Sequence, residues 1–285
     1  MHLRSALALL PALATHLAAP ALHAAPAGAV TVIGAPPPSE AAADAPEQDR
    51  PAWGDARRPW LYTADPTAPA LGHVITSLGV GYAQVDRGAA RPFAADVGHA
   101  GAVFDASAEV GVSKYASIHA QGLLAGEGAG TPVRAGVFAG ASAFPLPAAY
   151  PLDLAVSGGF LRELGGTNGV WARVGVAGDI GRFRLSATAL AEKVFDPDRD
   201  EADVLLTSGV SVTALPILRL GIEYVVQDLE GAWDPEEADG GIRHFLGATA
   251  ALDLGRRVQI AAGPALGLSE GSPGLLGRLT ATYAF

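Results

Sequence analysis

The stretch RFRLSATALAE, Arg182 to Glu192, carries the period that organises this chain. Phe183, Leu185, Ala187, Ala189 and Ala191 are apolar on one parity, while Arg184, Ser186, Thr188 and Glu192 are polar on the other, with Leu190 the exception. A β-strand sends alternate side chains to opposite faces, so this segment has one greasy face and one wet face. Leu218, Leu220, Ile222, Tyr224 and Val226 stand in the same relation to Arg219, Gly221, Glu223 and Gln227. So do Val258, Ile260, Ala262 and Leu266 to Gln259, Ala261 and Gly263. Segments of about ten or eleven residues with this pattern recur from Val74 onward, about twelve in all. Their expected starts are Val74, Ala102, Tyr115, Pro132, Pro151, Gly169, Arg182, Val204, Pro216, Arg243, Arg257 and Leu275.

Composition narrows what such strands can build. About half of the 285 residues are hydrophobic, which excludes wholesale disorder. The apolar content is Ala, Val and Leu spread evenly rather than gathered in long runs. The longest uncharged stretch, residues 135–152, contains Pro145, Pro147 and Pro151, and the stretch 205–218 contains Gly209 and Pro216, so a helical membrane span is rejected. With no cysteine there is neither a disulfide framework nor thiolate chemistry, and a net charge of −10 argues against a nucleic-acid partner. No metal site and no cofactor is expected.

The chain divides into three regions. Residues 1–24 read as an export signal: Arg4 supplies the positive start, Ala6 to Leu17 the apolar centre, and Ala21-Leu22-His23-Ala24 a small-residue cleavage site. Residues 25–73 form a Pro- and Ala-rich leader, expected in the periplasm and largely disordered, because it has too little apolar surface to fold alone. Within it, Trp53, Trp60, Leu61 and Tyr62 are an aromatic patch with two readings. One is a segment that docks on or into the domain C-terminal to it; the other, preferred here, is a loosely attached extension. Residues 74–285 are the folded part.

Connections between the strands alternate in length. Ser113-Lys114, Gly181-Arg182, Leu215-Pro216 and Gly255-Arg256 are tight turns and FPLPAAYP is a longer one, whereas RGAARPFAADVGH, KVFDPDRDEAD and QDLEGAWDPEEADGG are long and polar. Outer-membrane barrels alternate in this way, with short periplasmic turns, long outer loops and an even strand number that leaves both termini in the periplasm. The expected fold is therefore all-β: a transmembrane antiparallel up-and-down barrel in a bacterial outer membrane. In this register Tyr82, Phe104, Phe160 and Tyr224 fall near the outer strand ends, and Tyr115, Phe144, Tyr150, Phe183, Tyr283 and Phe285 near the inner ends, as two interfacial girdles.

The last residues, LTATYAF, put Leu275, Leu279, Ala281, Tyr283 and Phe285 on the lipid side and Arg278, Thr280 and Thr282 inside. This strand resembles the C-terminal signal strand of Gram-negative outer-membrane barrels, which ends in Phe and is read by the barrel-assembly machinery. The resemblance implies that role for Leu279, Ala281, Tyr283 and Phe285, and implies contact with outer-membrane lipid and lipopolysaccharide. By its architecture the chain also resembles loosely defined outer-membrane transporters with a signal peptide, a variable leader and about twelve strands, some assigned to aromatic-compound degradation pathways. That likeness implies passive uptake of small solutes.

On the inward parity lie Asp105, Glu109, His119, Arg134, Asp153, Arg173, Asp179, Arg184, Glu192, Arg219, Glu223, Asp253 and Arg278. They suit either a charged constriction that selects solutes or a paired network that stiffens the wall. Gly81, Gly111, Gly140, Ser157, Gly175, Gly209, Gly221 and Gly263 share that parity, and such small residues tilt the reading toward a water-filled passage unless the leader occupies it. The leading function is a passive channel; the alternative is a non-conducting structural or surface-interaction barrel. Enzyme-like strings fail on context, so no enzyme is expected. Gly267-Leu268-Ser269-Glu270-Gly271 matches G-x-S-x-G but is followed by a turn, not a helix. Asp196-Pro197-Asp198-Arg199-Asp200 begins like a calcium loop, but Glu201 stands where a Gly is needed. His119 points inward and His244 sits near the outer rim, so no Ser-His pair forms.

Overall fold

The structure, a computed structural model, describes residues 60–84, 101–126, 133–146, 150–163, 166–195, 202–233, 241–269, 272 and 274–285. The expected export signal, most of the leader including Trp53, and the acidic run Asp196–Asp200 lie outside the described residues. Twelve antiparallel strands form a closed barrel. They are β1 (Val74–Gln84), β2 (Gly101–Ser113), β3 (Ala116–Gly126), β4 (Val133–Ala143), β5 (Leu152–Glu163), β6 (Asn168–Ile180), β7 (Phe183–Val194), β8 (Asp203–Leu215), β9 (Leu218–Gln227), β10 (Arg243–Leu254), β11 (Val258–Gly267) and β12 (Leu275–Ala284). Every start lies within two residues of the position read from the sequence. Each strand pairs with its chain neighbours, and β1 closes on β12 from Ile75 opposite Ala284 to Gln84 opposite Leu275. The closure is completed by Phe285, whose N–H donates to the Val74 carbonyl at 2.8 Å. Closure matters because an open edge in hydrocarbon leaves a row of backbone groups with no partner, each costing several kcal/mol.

The side-chain alternation sets the two faces. Along β7, residue after residue switches between exposed and buried. Outward positions form a belt that includes Leu78, Val80, Phe104, Ile118, Val137, Val174, Val210, Ile222 and Leu279, all exposed and apolar. Five connections lie at one end, four of them of two or three residues and the β4–β5 one longer, together with the start of β1 and the end of β12; this is called the short-turn end, and the opposite end, which holds the longest connections, the long-loop end. Tyr82, Phe104, Phe160 and Tyr224 are exposed toward the long-loop end, and Tyr115, Tyr150, Phe183, Tyr283 and Phe285 toward the short-turn end. Phe144 departs from the expected girdle. It shares parity with Phe138, Gly140 and Ser142, and is buried inside the barrel with 7% exposure.

The lumen is layered. Toward the long-loop end, Phe138, Leu161, Trp171, Leu190, Val194, Leu205, Val225 and Phe245 pack into an apolar layer that crosses the interior. Leu190, the misfit in the opening stretch, is thereby explained: it faces inward and belongs to this layer. Beyond it a short 3-10 turn, Leu229–Ala232, folds over the wall, with Glu230 buried and its carboxylate accepting the Val204 N–H at 2.9 Å. Burial raises the Glu230 pKa, Asp228 and Asp203 raise it further, and the backbone hydrogen bonds act the other way. Arg243 pairs with Asp228 at 3.0 Å at the same end. Below the apolar layer the inward positions turn polar, with Ser77, Ser107, Ser142, Ser157, Gln259 and Thr282 among them.

These faces predict a clean asymmetry. Val210→Arg, on the belt, is expected to cost about 2–4 kcal/mol in lipid vesicles if it lies near the bilayer midplane. Ser107→Arg, on the inward parity beside a luminal cavity with Asp105 and Glu109 as neighbours, is expected to cost much less. Urea unfolding followed by tryptophan emission in vesicles distinguishes them.

Candidate functional site

The candidate site is the part of the lumen where the wall holds residues 60–67 of the chain itself. Glu223 sits on β9 with the inward parity and is fully buried. Its carboxylate accepts three consecutive backbone N–H groups of the leader: Leu61 at 2.8 Å, Tyr62 at 2.9 Å and Thr63 at 2.8 Å. Thr249 on β10 donates its hydroxyl to the same carboxylate at 2.6 Å. Four donors on one anion satisfy a charge that would otherwise be prohibitive inside the wall.

A second clamp lies nearer the short-turn end. Arg184 on β7 donates to both oxygens of Asp65, at 3.1 Å and 3.0 Å, and to the Thr67 hydroxyl at 2.9 Å. Asp153 and Asp179, from β5 and β6, each receive a hydrogen bond from Arg184 at 2.8 Å. The planar guanidinium thus ties the leader to three adjacent strands of the wall. Between the clamps, Thr188 donates its hydroxyl to the Ala64 carbonyl at 3.1 Å.

The small residues along the wall are the complement of the leader's bulk. Trp60 lies against Gly209, where an added Cβ would meet the ring at 2.6 Å, and its ring is also beside Gly221. Leu61 packs on Gly263, Tyr62 on Gly247 and Pro66 on Gly175. At Gly111 a Cβ would run into the carbonyls of Pro69 and Ala70, where the leader leaves the lumen to begin β1. Five of the small inward positions noted in the sequence, Gly111, Gly175, Gly209, Gly221 and Gly263, therefore make room for the leader and not for a water-filled passage. The preferred reading of Trp60 to Tyr62 as a loose extension is corrected for the same reason: their backbone donors and side chains are used by the wall.

The remaining inward charges occupy other parts of the wall. Arg278 pairs with Asp105 at 2.9 Å and lies over the Tyr62 ring at 6.0 Å. Glu109 accepts the Ser117 hydroxyl at 2.7 Å, and Asp253 accepts the Gln259 amide at 2.9 Å. His119 stands 5.2 Å from Trp171, ring to ring, and Arg173 lies 5.7 Å from the same indole. Glu192 is buried opposite Asp203, and Arg219 is opposite Thr213 and Ala251 with the inward parity. Arg134 sits opposite Ala125 on β4, and its side chain lies outside the described residues. Asp65, which completes the Arg184 clamp, was not singled out in the sequence. Its only signal is its place just after the aromatic patch. At the rim, Ser269 and Ser272 accept the His244 backbone N–H, whereas the His244 ring bonds the Tyr224 hydroxyl at 2.7 Å. The G-x-S-x-G serine thus meets the histidine's backbone and not its imidazole.

No protein-family model and no curated protein matches the sequence. Solved structures do match in fold. The COG4313 outer membrane channel from Pseudomonas putida F1 is similar at a TM-score of 0.54 and 12% identity, over 81% of this chain and all of that one. The KdgM porin is similar at a TM-score of 0.51 and 7% identity, over 75% of this chain and 99% of that one; it has also been solved with disordered oligogalacturonate. Together with the closed twelve-stranded wall and its apolar belt, these likenesses define the class: a transmembrane β-barrel with the fold of outer-membrane channels.

The chain has no native cysteine, so a pair can report on the site without interference. An added Cβ at Gly175 would lie 3.4 Å from the Pro66 Cβ, close to the separation a disulfide needs. Pro66→Cys with Gly175→Cys is expected to oxidise spontaneously in the refolded protein. Intact mass under denaturing, non-reducing conditions should show loss of two hydrogens and no maleimide uptake.

Proposed function

We propose that this chain is a passive outer-membrane channel for small solutes, held closed from within by residues 60–70. The observation that carries this reading is the Glu223 carboxylate gripping three successive leader N–H groups in mid-lumen. The wall closes through β1 and β12 without the leader, so the leader fills the pore and is not one of its staves. Tyr62 also packs against the apolar layer above it, so withdrawal of the leader removes a support from that layer. The likeness to proteins described as a channel and a porin supports the same reading. In this account the short-turn end and the leader face the periplasm, and Leu279, Ala281, Tyr283 and Phe285 serve the assembly machinery.

A second reading is favoured by the apolar layer itself. Phe245, Leu161 and Val225 are almost completely buried across the lumen, as in a sealed structural barrel that does not conduct.

Single-channel recording in planar bilayers separates the two. The full mature chain should be closed with rare openings, and a chain beginning at Gly72 should conduct steadily. Pro66→Cys with Gly175→Cys should be silent when oxidised and return to rare openings on reduction. Silence from every form, the shortened one included, would establish the sealed barrel instead.

A further inference from the structure

The outward face of the wall is almost free of charge. Among the described strand residues with outward parity, Arg162 on β5 and Lys193 on β7 alone carry a permanent charge. Both are basic and both stand at the long-loop end, in a chain whose acidic residues outnumber its basic ones by 29 to 19. The register sets them on either side of β6: Lys193 lies in one row with Val170 and Phe160, and Arg162 lies opposite Asn168, one two-residue step further out. At strand spacings of about 4.8 Å and a rise of about 3.3 Å per residue, their Cα atoms are roughly 12 Å apart. Two long side chains converging from that separation can hold one phosphate between them. Arg162 is exposed and donates to the Asn168 amide oxygen at 2.6 Å, a neutral acceptor that orients the guanidinium without cancelling its charge. Exposed Phe160 belongs to the aromatic ring at this end, so both charges stand at the depth of lipid headgroups.

A groove lies on the same face. About 850 Å³ in volume, it is sunk into the outer surface of β5 to β9 between Val176, Leu185, Val210 and Ile222. Its floor is short: Ala187 stands opposite Ser208 across β7 and β8. Ala187 is also three outward positions below Lys193 on β7, about 20 Å along the strand, and exposed Ala189 and Ala191 leave the way between them clear. A tilt of about 40° turns that length into roughly 15 Å of depth, half of a hydrocarbon core about 30 Å thick. Headgroup site and groove are thus separated by the depth of one leaflet.

The medium decides what covers this groove, because the wall that carries it spans a membrane. Charge decides which lipid. We infer that the outer face of β5 to β9 binds one molecule of lipid A, the phosphorylated lipid of the outer leaflet, with a phosphate between Arg162 and Lys193 and an acyl chain laid along β7 into the groove. The choice of leaflet rests on the reading above in which the short-turn end faces the periplasm; the site does not require the barrel to conduct.

Native mass spectrometry of the refolded full mature chain tests it, in a neutral detergent with EDTA so that no divalent ion contributes. The probes are lipid A, phosphatidylglycerol and phosphatidylcholine. One lipid A molecule should be retained per barrel, with phosphatidylglycerol at least tenfold weaker and phosphatidylcholine at background. Arg162→Gln with Lys193→Gln should weaken lipid A about thirtyfold. Lys114→Gln with Arg257→Gln, which removes the same charge from exposed turns at the other end, should change nothing. Ala187→Phe, which fills the groove from the lipid side, should also weaken lipid A, and heat-modifiable gel migration identifies any variant that fails to fold; the Arg162 and Lys193 pair decides if Ala187→Phe does. Absence of a discrete lipid A complex would overturn the inference, as would unchanged binding in either folded variant, or phosphatidylglycerol held as tightly as lipid A. The readout is bound lipid and not conductance, so its failure is separate from failure of the channel reading.

Discussion

A buried carboxylate has to be compensated, and most of the interior of this barrel follows from how Glu223 is compensated. The wall offers it one hydroxyl, from Thr249; the other three donors are backbone N–H groups that only an entering strand of chain supplies. Without the leader, an anion would stand in the lumen with one hydrogen bond and whatever water reached it. With the leader, four donors converge and the segment is fixed to within one residue, because Leu61, Tyr62 and Thr63 must follow in order. Arg184 then fixes the direction of exit through Asp65, and the chain turns at Gly111 into β1.

Steric complementarity reinforces the electrostatics. A twelve-stranded wall encloses more space than its own short side chains fill, and this chain deals with the excess in two ways. In the long-loop half, large inward residues such as Phe138, Trp171 and Phe245 meet across the axis. In the short-turn half many inward residues are small, Ile75 and Phe144 apart, and bulk is brought in by Trp60, Leu61, Tyr62 and Pro66 from the leader. The cavity beside the leader is what this second solution leaves over, lined by hydroxyls such as Ser77, Ser107, Ser157 and Thr280 together with Ile75 and Phe144.

The wall was almost entirely legible in the sequence, because strand parity is a local property and one misplaced residue would have put Arg184 or Glu223 into lipid. Leu190 and Phe144 show where local reading stops. Leu190 breaks the polar parity because the lumen has an apolar layer, and Phe144 lies beyond the end of β4, where parity alone assigns it inward but girdle logic assigned it outward. The site was legible only in halves. Glu223, Arg184 and the glycines carry the inward parity in the sequence, yet what they hold depends on residues some 120 to 160 positions earlier in the chain. Nothing local in Ala64-Asp65-Pro66 announces a partner. Composition suggested disorder there, and tertiary contact overrides it for residues 60–70.

The most direct test is amide hydrogen exchange at Leu61, Tyr62 and Thr63 in the refolded full-length mature protein, compared with Glu223→Ala. Loss of the carboxylate orphans three N–H groups at on the order of 1 kcal/mol each, or roughly a hundredfold in local opening. The account predicts strong protection of all three amides in the native chain and an acceleration of about that size in the variant, with the strand amides of the wall unaffected. Free exchange at these positions in the native chain, or protection that survives Glu223→Ala unchanged, would contradict it.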